Sequence, residues 1–184
     1  MRKLLHNEIL EQRLSLEEVK RTTRHPVSVL LHNVRSLYNV GSIFRTCDAA
    51  LCREVILSGF TPHPPRKEIE KTALGAVDTV PWRYFPRTIE AVEVLRSEGN
   101  KIFALEITDR KRNYTTIEKE DFPLVVVLGN ELTGIDQEIL NQCDDAIEIP
   151  MFGVKHSLNV AVATGIVLFE SVRIYRKYYL GDIW

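Results

Sequence analysis

Apolar residues fall along this chain in two rhythms. Near the start, Leu4, Leu5, Ile9, Leu10, Leu14, Leu16 and Val19 recur at roughly helical spacing between charges. That spacing predicts one or two amphipathic helices, packed on the domain or on a partner. From Val27 onward the apolar residues gather into short runs instead. These are Val27 to Leu31 (VSVLL), Glu54 to Ser58 (EVILS), Lys101 to Thr108, Pro123 to Leu128 (PLVVVL) and Ala146 to Ile149. Runs without polar alternation fit strands buried on both faces. PLVVVL is the strongest and is expected at the centre of the sheet. Val80 to Phe85 is a further strand, with Trp82 and Tyr84 on one side.

Helices are expected between these runs. Gly41 to Leu51 follows Asn39, whose side chain can cap it. Glu68 to Leu74 stops at Gly75. Pro86 to Glu98 carries Ile89, Val92 and Leu95 at helical spacing and ends at Gly99-Asn100, a C-cap signal. Asp136 to Gln142 is short and capped by Asp136, and Leu158 to Tyr179 is the last helix. Thr61 to Arg66 (TPHPPR) is too rich in proline for regular structure. Strand–helix alternation predicts an α/β fold, a mostly parallel sheet flanked by helices. Residues 1–184 read as one domain, with 1–25 a helical extension.

Composition narrows the function. The chain has 184 residues, enough for a real core, with 45% hydrophobic and 27% charged residues. A formal net charge of -1 gives no support to nucleic-acid binding, so any RNA site must be a local basic patch. Lys20, Arg21 and Arg24, Arg66 and Lys67, Arg110 to Arg112, and Arg35 are the candidates, each equally readable as solvated surface. Three cysteines without paired spacing argue against a disulfide framework, and no Cys/His set suggests a metal. The N-terminus lacks an apolar signal core, and no apolar run reaches the ~18 residues of a membrane span. A cytoplasmic protein is expected.

Ligands of parallel sheets bind outside the carboxyl ends of the strands. Three such ends are unusually polar here. The first holds Asn33, Arg35, Asn39, Gly41 and Arg45. The second holds Gly129, Asn130, Glu131, Thr133 and Gly134, and the third Pro150, Gly153, Ser157 and Asn159. Each has a plain reading: an Arg45–Asp48 ion pair, a turn with a solvated glutamate, and N-capping by Ser157 or Asn159. The alternative for Arg45 is a grip on phosphate, which a guanidinium makes bidentately. No P-loop and no GxGxxG fingerprint is present.

Together the clusters resemble the three motifs of the SpoU/TrmH family of RNA ribose 2'-O-methyltransferases, in the SPOUT superfamily. The first reads NVRSLYNVGSIFRTCDAA (Asn33 to Ala50), the second LVVVLGNELTGID (Leu124 to Asp136) and the third IEIPMFGVKHSLNVAVATGI (Ile147 to Ile166). KTALGAVDTVPW (Lys71 to Trp82) resembles the family's middle segment. The likeness covers about Val27 to Phe169. It implies a deep C-terminal trefoil knot that binds S-adenosylmethionine, by position through Leu128, Gly129, Asn130, Ile149, Met151, Ser157 and Leu158. It implies that Arg45 activates the ribose hydroxyl with a bound phosphate, that Asn39 holds this arginine and the substrate, and that Glu131 anchors the loops. Ser157 and Asn159 would shape the donor pocket. No metal is implied. The substrate would be structured RNA, tRNA or rRNA, and the protein a homodimer through its last helix. An apolar helix buried all round within the monomer is the other reading of that pattern. Leu51-Cys52 and Ala161 depart from the family pattern. A knotted RNA-binding protein without catalysis, and a methyltransferase for a base or small molecule, are the competing functions.

Overall fold

The computed structural model describes residues 1–110 and 112–182. Two short helices, α1 (His6–Glu11) and α2 (Leu16–Arg21), precede the sheet. Then follow β1 (Val27–His32), α3 (Leu37–Ala49), β2 (Val55–Ser58), α4 (Lys67–Ala73), α5 (Ala76–Thr79), β3 (Trp82–Phe85), α6 (Thr88–Ser97) and β4 (Lys101–Leu105). The chain continues through β5 (Arg112–Asn113), β6 (Leu124–Leu128), α7 (Gln137–Leu140), β7 (Asp145–Glu148) and α8 (Val160–Tyr175), with a π-helical turn at Arg176–Leu180. The strands form one sheet in the order β3-β2-β1-β6-β4-β7-β5, every pair parallel. All strand carboxyl ends therefore share one edge.

The apolar runs explain this arrangement. Every residue of β1, β2 and β6 is buried. Alternate side chains serve opposite faces. Val29, Leu31, Val55, Leu57, Val126 and Leu128 pack with Ile43 and Phe44 of α3 and with Val167, Leu168 and Val172 of α8. Leu30, Ile56, Val125 and Val127 pack with Val92 and Leu95 of α6 and Ile139 of α7. Fully burying one such side chain contributes about 1.5–3 kcal/mol. β6 takes the central place expected of PLVVVL.

Two caps differ from expectation. The helix expected at Gly41 starts a turn earlier, because Ser36 caps it: its hydroxyl accepts the Asn39 N–H at 3.3 Å. Asn39 is thereby carried into the first turn, and its side-chain amide is left for tertiary bonds. Asp136 makes no side-chain cap bond to α7. Its carboxylate instead meets Nε2 of buried His32 at 3.0 Å.

The two ends of the chain leave apolar surface open. α1 buries no residue and α2 only Val19, so Leu5, Leu10, Leu14 and Leu16 face outward. α8 is not buried all round: Val162 is 52% and Phe169 40% exposed.

Candidate active site

β6 ends in a tight turn that Asn130 shapes. Its backbone pairs with Gly134 in both directions, at 3.0 and 2.9 Å. Its side-chain Oδ1 accepts from the N–H groups of Leu132 and Thr133, and its Nδ2 donates to the carbonyl of Asn33 at 2.8 Å. The turn is thus tied to the end of β1 and holds Glu131 at its tip. Glu131 accepts three bonds: from the N–H of Arg35 (2.9 Å), the N–H of Ser36 (3.1 Å) and Nδ2 of Asn39 (2.9 Å). Burial works to raise the Glu131 carboxyl, but these donors outweigh it and hold it below the ordinary carboxylate range.

The line continues. Oδ1 of Asn39 accepts from Nδ2 of Asn159 at 3.1 Å. Oδ1 of Asn159 in turn accepts the N–H groups of Ala161 and Val162, capping α8. One chain of hydrogen bonds, Glu131 to Asn39 to Asn159, joins all three polar clusters.

Beside this line lies a cavity of about 570 Å³, within the range of small-molecule sites. Its walls include the Gly129–Ile135 turn, Leu105 to Ile107 at the end of β4, Glu148 and Ile149 at the end of β7, and Met151 and His156 to Val160. Gly129 lets the turn close: a Cβ there would lie 2.6 Å from the Gly134 carbonyl oxygen and 2.7 Å from the Ile135 nitrogen. Glu106, Glu131 and Glu148 line the space, and among the lining residues there is no lysine or arginine. Apolar walls with carboxylates suit a ligand that pairs an aromatic ring system with positive charge.

The profile of the SpoU rRNA Methylase family matches residues 26–169. This chain belongs to that family. It is similar to the tRNA (guanosine(18)-2'-O)-methyltransferase of Thermus thermophilus, with 34% identity over 171 residues, 93% of this chain and 87% of that protein. Among solved structures it resembles the A. aeolicus TrmH/SpoU tRNA modifying enzyme, with a TM-score of 0.77, 30% identity and coverage of 92% of this chain and 85% of that one. It also resembles the AdoMet-bound rRNA methyltransferase of Sinorhizobium meliloti, with a TM-score of 0.76 and 31% identity, over 88% of this chain and 60% of that one. The sheet and its helices are those of this methyltransferase fold.

The family's motif positions fall in the structure as follows. Leu128, Gly129, Asn130, Ile149, Met151, Ser157 and Leu158 all line the cavity, as do Glu131 and Asn159. Asn39 stands behind them, bonded to both Glu131 and Asn159. Ser157 is exposed at the cavity rim, and Asn159, one residue before α8, makes the cap. Arg45 is not brought into the cavity of its own chain. It is exposed on α3, and its side chain makes no hydrogen bond or ion pair among the described residues. The Arg45–Asp48 pair is absent there; Asp48 accepts from Thr79 Oγ1 instead.

S-adenosylmethionine fits the residues present: apolar Leu128, Ile149 and Leu158 for the adenine, and three carboxylates for a sulfonium and an ammonium. Sequence reasoning misses Glu106. Its carboxylate accepts the N–H groups of Ile107 (2.9 Å) and Ile135 (3.1 Å), pinning the end of β4 to the Gly134 turn. A polar residue closing an apolar strand is its one signal.

Two of the basic residues have structural work. Arg24 donates to the carbonyls of Cys52 and Thr79. Arg112 bridges Asp121 at 2.8 Å and Asp145 at 2.6 Å, which leaves it no free edge for phosphate. Lys111 lies outside the described residues. Among the described residues no cluster of His, Cys, Asp and Glu could hold a metal, and no helix is long and apolar enough to cross a membrane.

Proposed function

We propose that this protein is an S-adenosylmethionine-dependent methyltransferase acting on a ribose 2'-hydroxyl of tRNA or rRNA. The observation that carries this reading is the Glu131–Asn39–Asn159 chain at the mouth of the donor-sized cavity. Bound S-adenosylmethionine supplies an electrophilic methyl on a cationic sulfur, so no metal is needed. The protein's part is positioning. Glu131 fixes the first motif against the second, and Asn39 and Asn159 fix the first against the third. Leu128, Gly129, Asn130, Ile149, Met151, Ser157 and Leu158 hold the donor. Arg45 seats the phosphate next to the target ribose and, with it, orients the hydroxyl for loss of its proton. A guanidinium stays protonated and is no base by itself.

Assembly belongs to the same proposal. The segment after β7 forms the family's trefoil knot. Two copies pair through α8, a pairing supported by the exposure of Val162 and Phe169 in the single chain. Pairing places Arg45 of one copy at the cavity of the other, in keeping with its position outside its own. The protein works in the cytoplasm. A knotted binder without catalysis is disfavoured by the intact Asn39, Arg45, Glu131, Ser157 and Asn159.

The test is to map ribose methylation in tRNA and rRNA from cells with and without the protein. Loss of specific 2'-O-methyl positions supports the reading; identical maps contradict it. Light scattering at micromolar concentration should give the dimer mass.

A further inference from the structure

The carboxyl ends of β2 and β3 carry an aromatic surface that the proposed donor site does not use. Phe60 follows β2 on a pinned loop. Its N–H donates to Asn33 Oδ1 at 3.2 Å, and the next residue, buried Thr61, bonds the Leu31 carbonyl and the Val34 N–H at 3.0 Å each. The backbone is fixed, yet Phe60 is 62% exposed. Tyr84, 38% exposed, donates its hydroxyl to the Gly59 carbonyl at 2.8 Å, which draws it toward Phe60. His63 packs its ring 4.7 Å from Tyr84 and 6.3 Å from Trp82. His63 and Tyr84 are thus in ring contact, and exposed Phe60 follows directly on the Gly59 carbonyl that holds Tyr84.

Cations flank them. Arg66 and Lys67 leave the same loop, exposed, and their side chains make no hydrogen bond or ion pair among the described residues. Arg87 follows β3 and is 68% exposed, with only a 3.5 Å contact to Glu90. The nearby acids are Glu68 and Glu70 on α4, and Asp136 and Glu138, which line a hollow together with Gly59 and Arg87. Flat rings with long cationic side chains around them are how proteins hold unpaired nucleotides, since every base offers a face to stack.

Position decides between this and a chance patch. β2 lies two strands from β6, about 10 Å along the sheet edge. Asn33 joins the two regions: its Oδ1 holds Phe60, and its carbonyl accepts from Asn130 of the cavity turn. We infer that Phe60, His63 and Tyr84, with Arg66, Lys67 and Arg87, form a stacking platform for unpaired nucleotides that flank the reactive ribose. The inference rests on the RNA methyltransferase reading and adds to it where the RNA lies.

The test uses a short single-stranded RNA of mixed sequence carrying 5-iodouridine, with the full-length protein and its Phe60→Ala and Phe60→Trp variants. Phe60 is exposed, so both variants should fold and bind S-adenosylmethionine as the wild type does. The platform predicts RNA binding roughly 5- to 150-fold weaker in Phe60→Ala, with Phe60→Trp near wild type. It also predicts photo-crosslinks mapped to Phe60, His63 or Tyr84. Equal RNA affinity for Phe60→Ala, or crosslinks confined to other surfaces, overturns the platform. Failure of the wild type to bind S-adenosylmethionine would count against the methyltransferase reading instead.

Discussion

Asn39 and Asn159 lie 120 positions apart, yet their side-chain amides meet at 3.1 Å. Asn39 uses its other end on Glu131 at 2.9 Å. A short polar side chain with one donor and one acceptor thus sets the distance between α3, the Gly129–Ile135 turn and the start of α8.

Asn39→Asp tests this bridge. The substitution keeps the acceptor for Asn159 but turns an N–H donor into a second carboxylate oxygen facing Glu131. A lost hydrogen bond to a charged group, discounted for solvent exposure, is about 1–2 kcal/mol. Methyl transfer from labelled S-adenosylmethionine to unmodified tRNA and rRNA transcripts should fall roughly 5- to 30-fold. Asn39→Asp turning over at the wild-type rate would show that the bridge does not set the reaction geometry.

The depressed Glu131 carboxyl makes a pH prediction. A folded-state value below the unfolded one, about 4.3, gives stability that is complete above that pH. It is lost as pH falls through the lower folded value. Between those values the wild type should lose more stability than Glu131→Gln, which has no proton to take up. Chemical denaturation of both proteins across the acid range reads the difference; parallel curves would contradict it.

Two glycines rank the tolerance of the cavity turn. At Gly134 (φ +68°) a Cβ would meet a carboxylate oxygen of Glu106, a side chain that can still move, though only by giving up its bond to the Ile135 N–H. At Gly129 the obstruction is backbone, which has nowhere to move. Gly129→Ala should therefore unfold or lose donor binding outright. Gly134→Ala should keep a weakened site, at a conformational cost of about 1–2 kcal/mol. Calorimetric titration with S-adenosylmethionine and thermal melts give the order, and the reverse order would refute it.

Much of the fold is legible in the apolar runs. VSVLL, EVILS and PLVVVL have no polar alternation, so both faces have to be covered, and a parallel sheet between helices follows. The order of strands is not readable, because nothing local in β4 or β6 says they pair. The pattern puts the α3 cap one turn late, since Ser36 and Asn39 are equally good capping residues and only the fold chooses. Arg24 and Arg112 are readable as basic but not as internal ties, because their partners, Thr79, Asp121 and Asp145, are brought to them by folding. The motif residues around the cavity are visible as clusters, whereas the bonds that join them span 92 and 120 positions.

Arg45 takes part in the proposed reaction rather than in the fold. It is exposed on α3, with no side-chain bond among the described residues. Arg45→Ala should therefore leave the melting temperature and the affinity for S-adenosylmethionine unchanged. The decisive measurement is methyl transfer by Arg45→Ala to the RNA whose ribose methylation depends on this protein. The expected result is a loss of roughly 100-fold or more, the scale of removing a group that aligns charge at the reacting atoms. Turnover near the wild-type rate on that RNA would contradict the role given to Arg45.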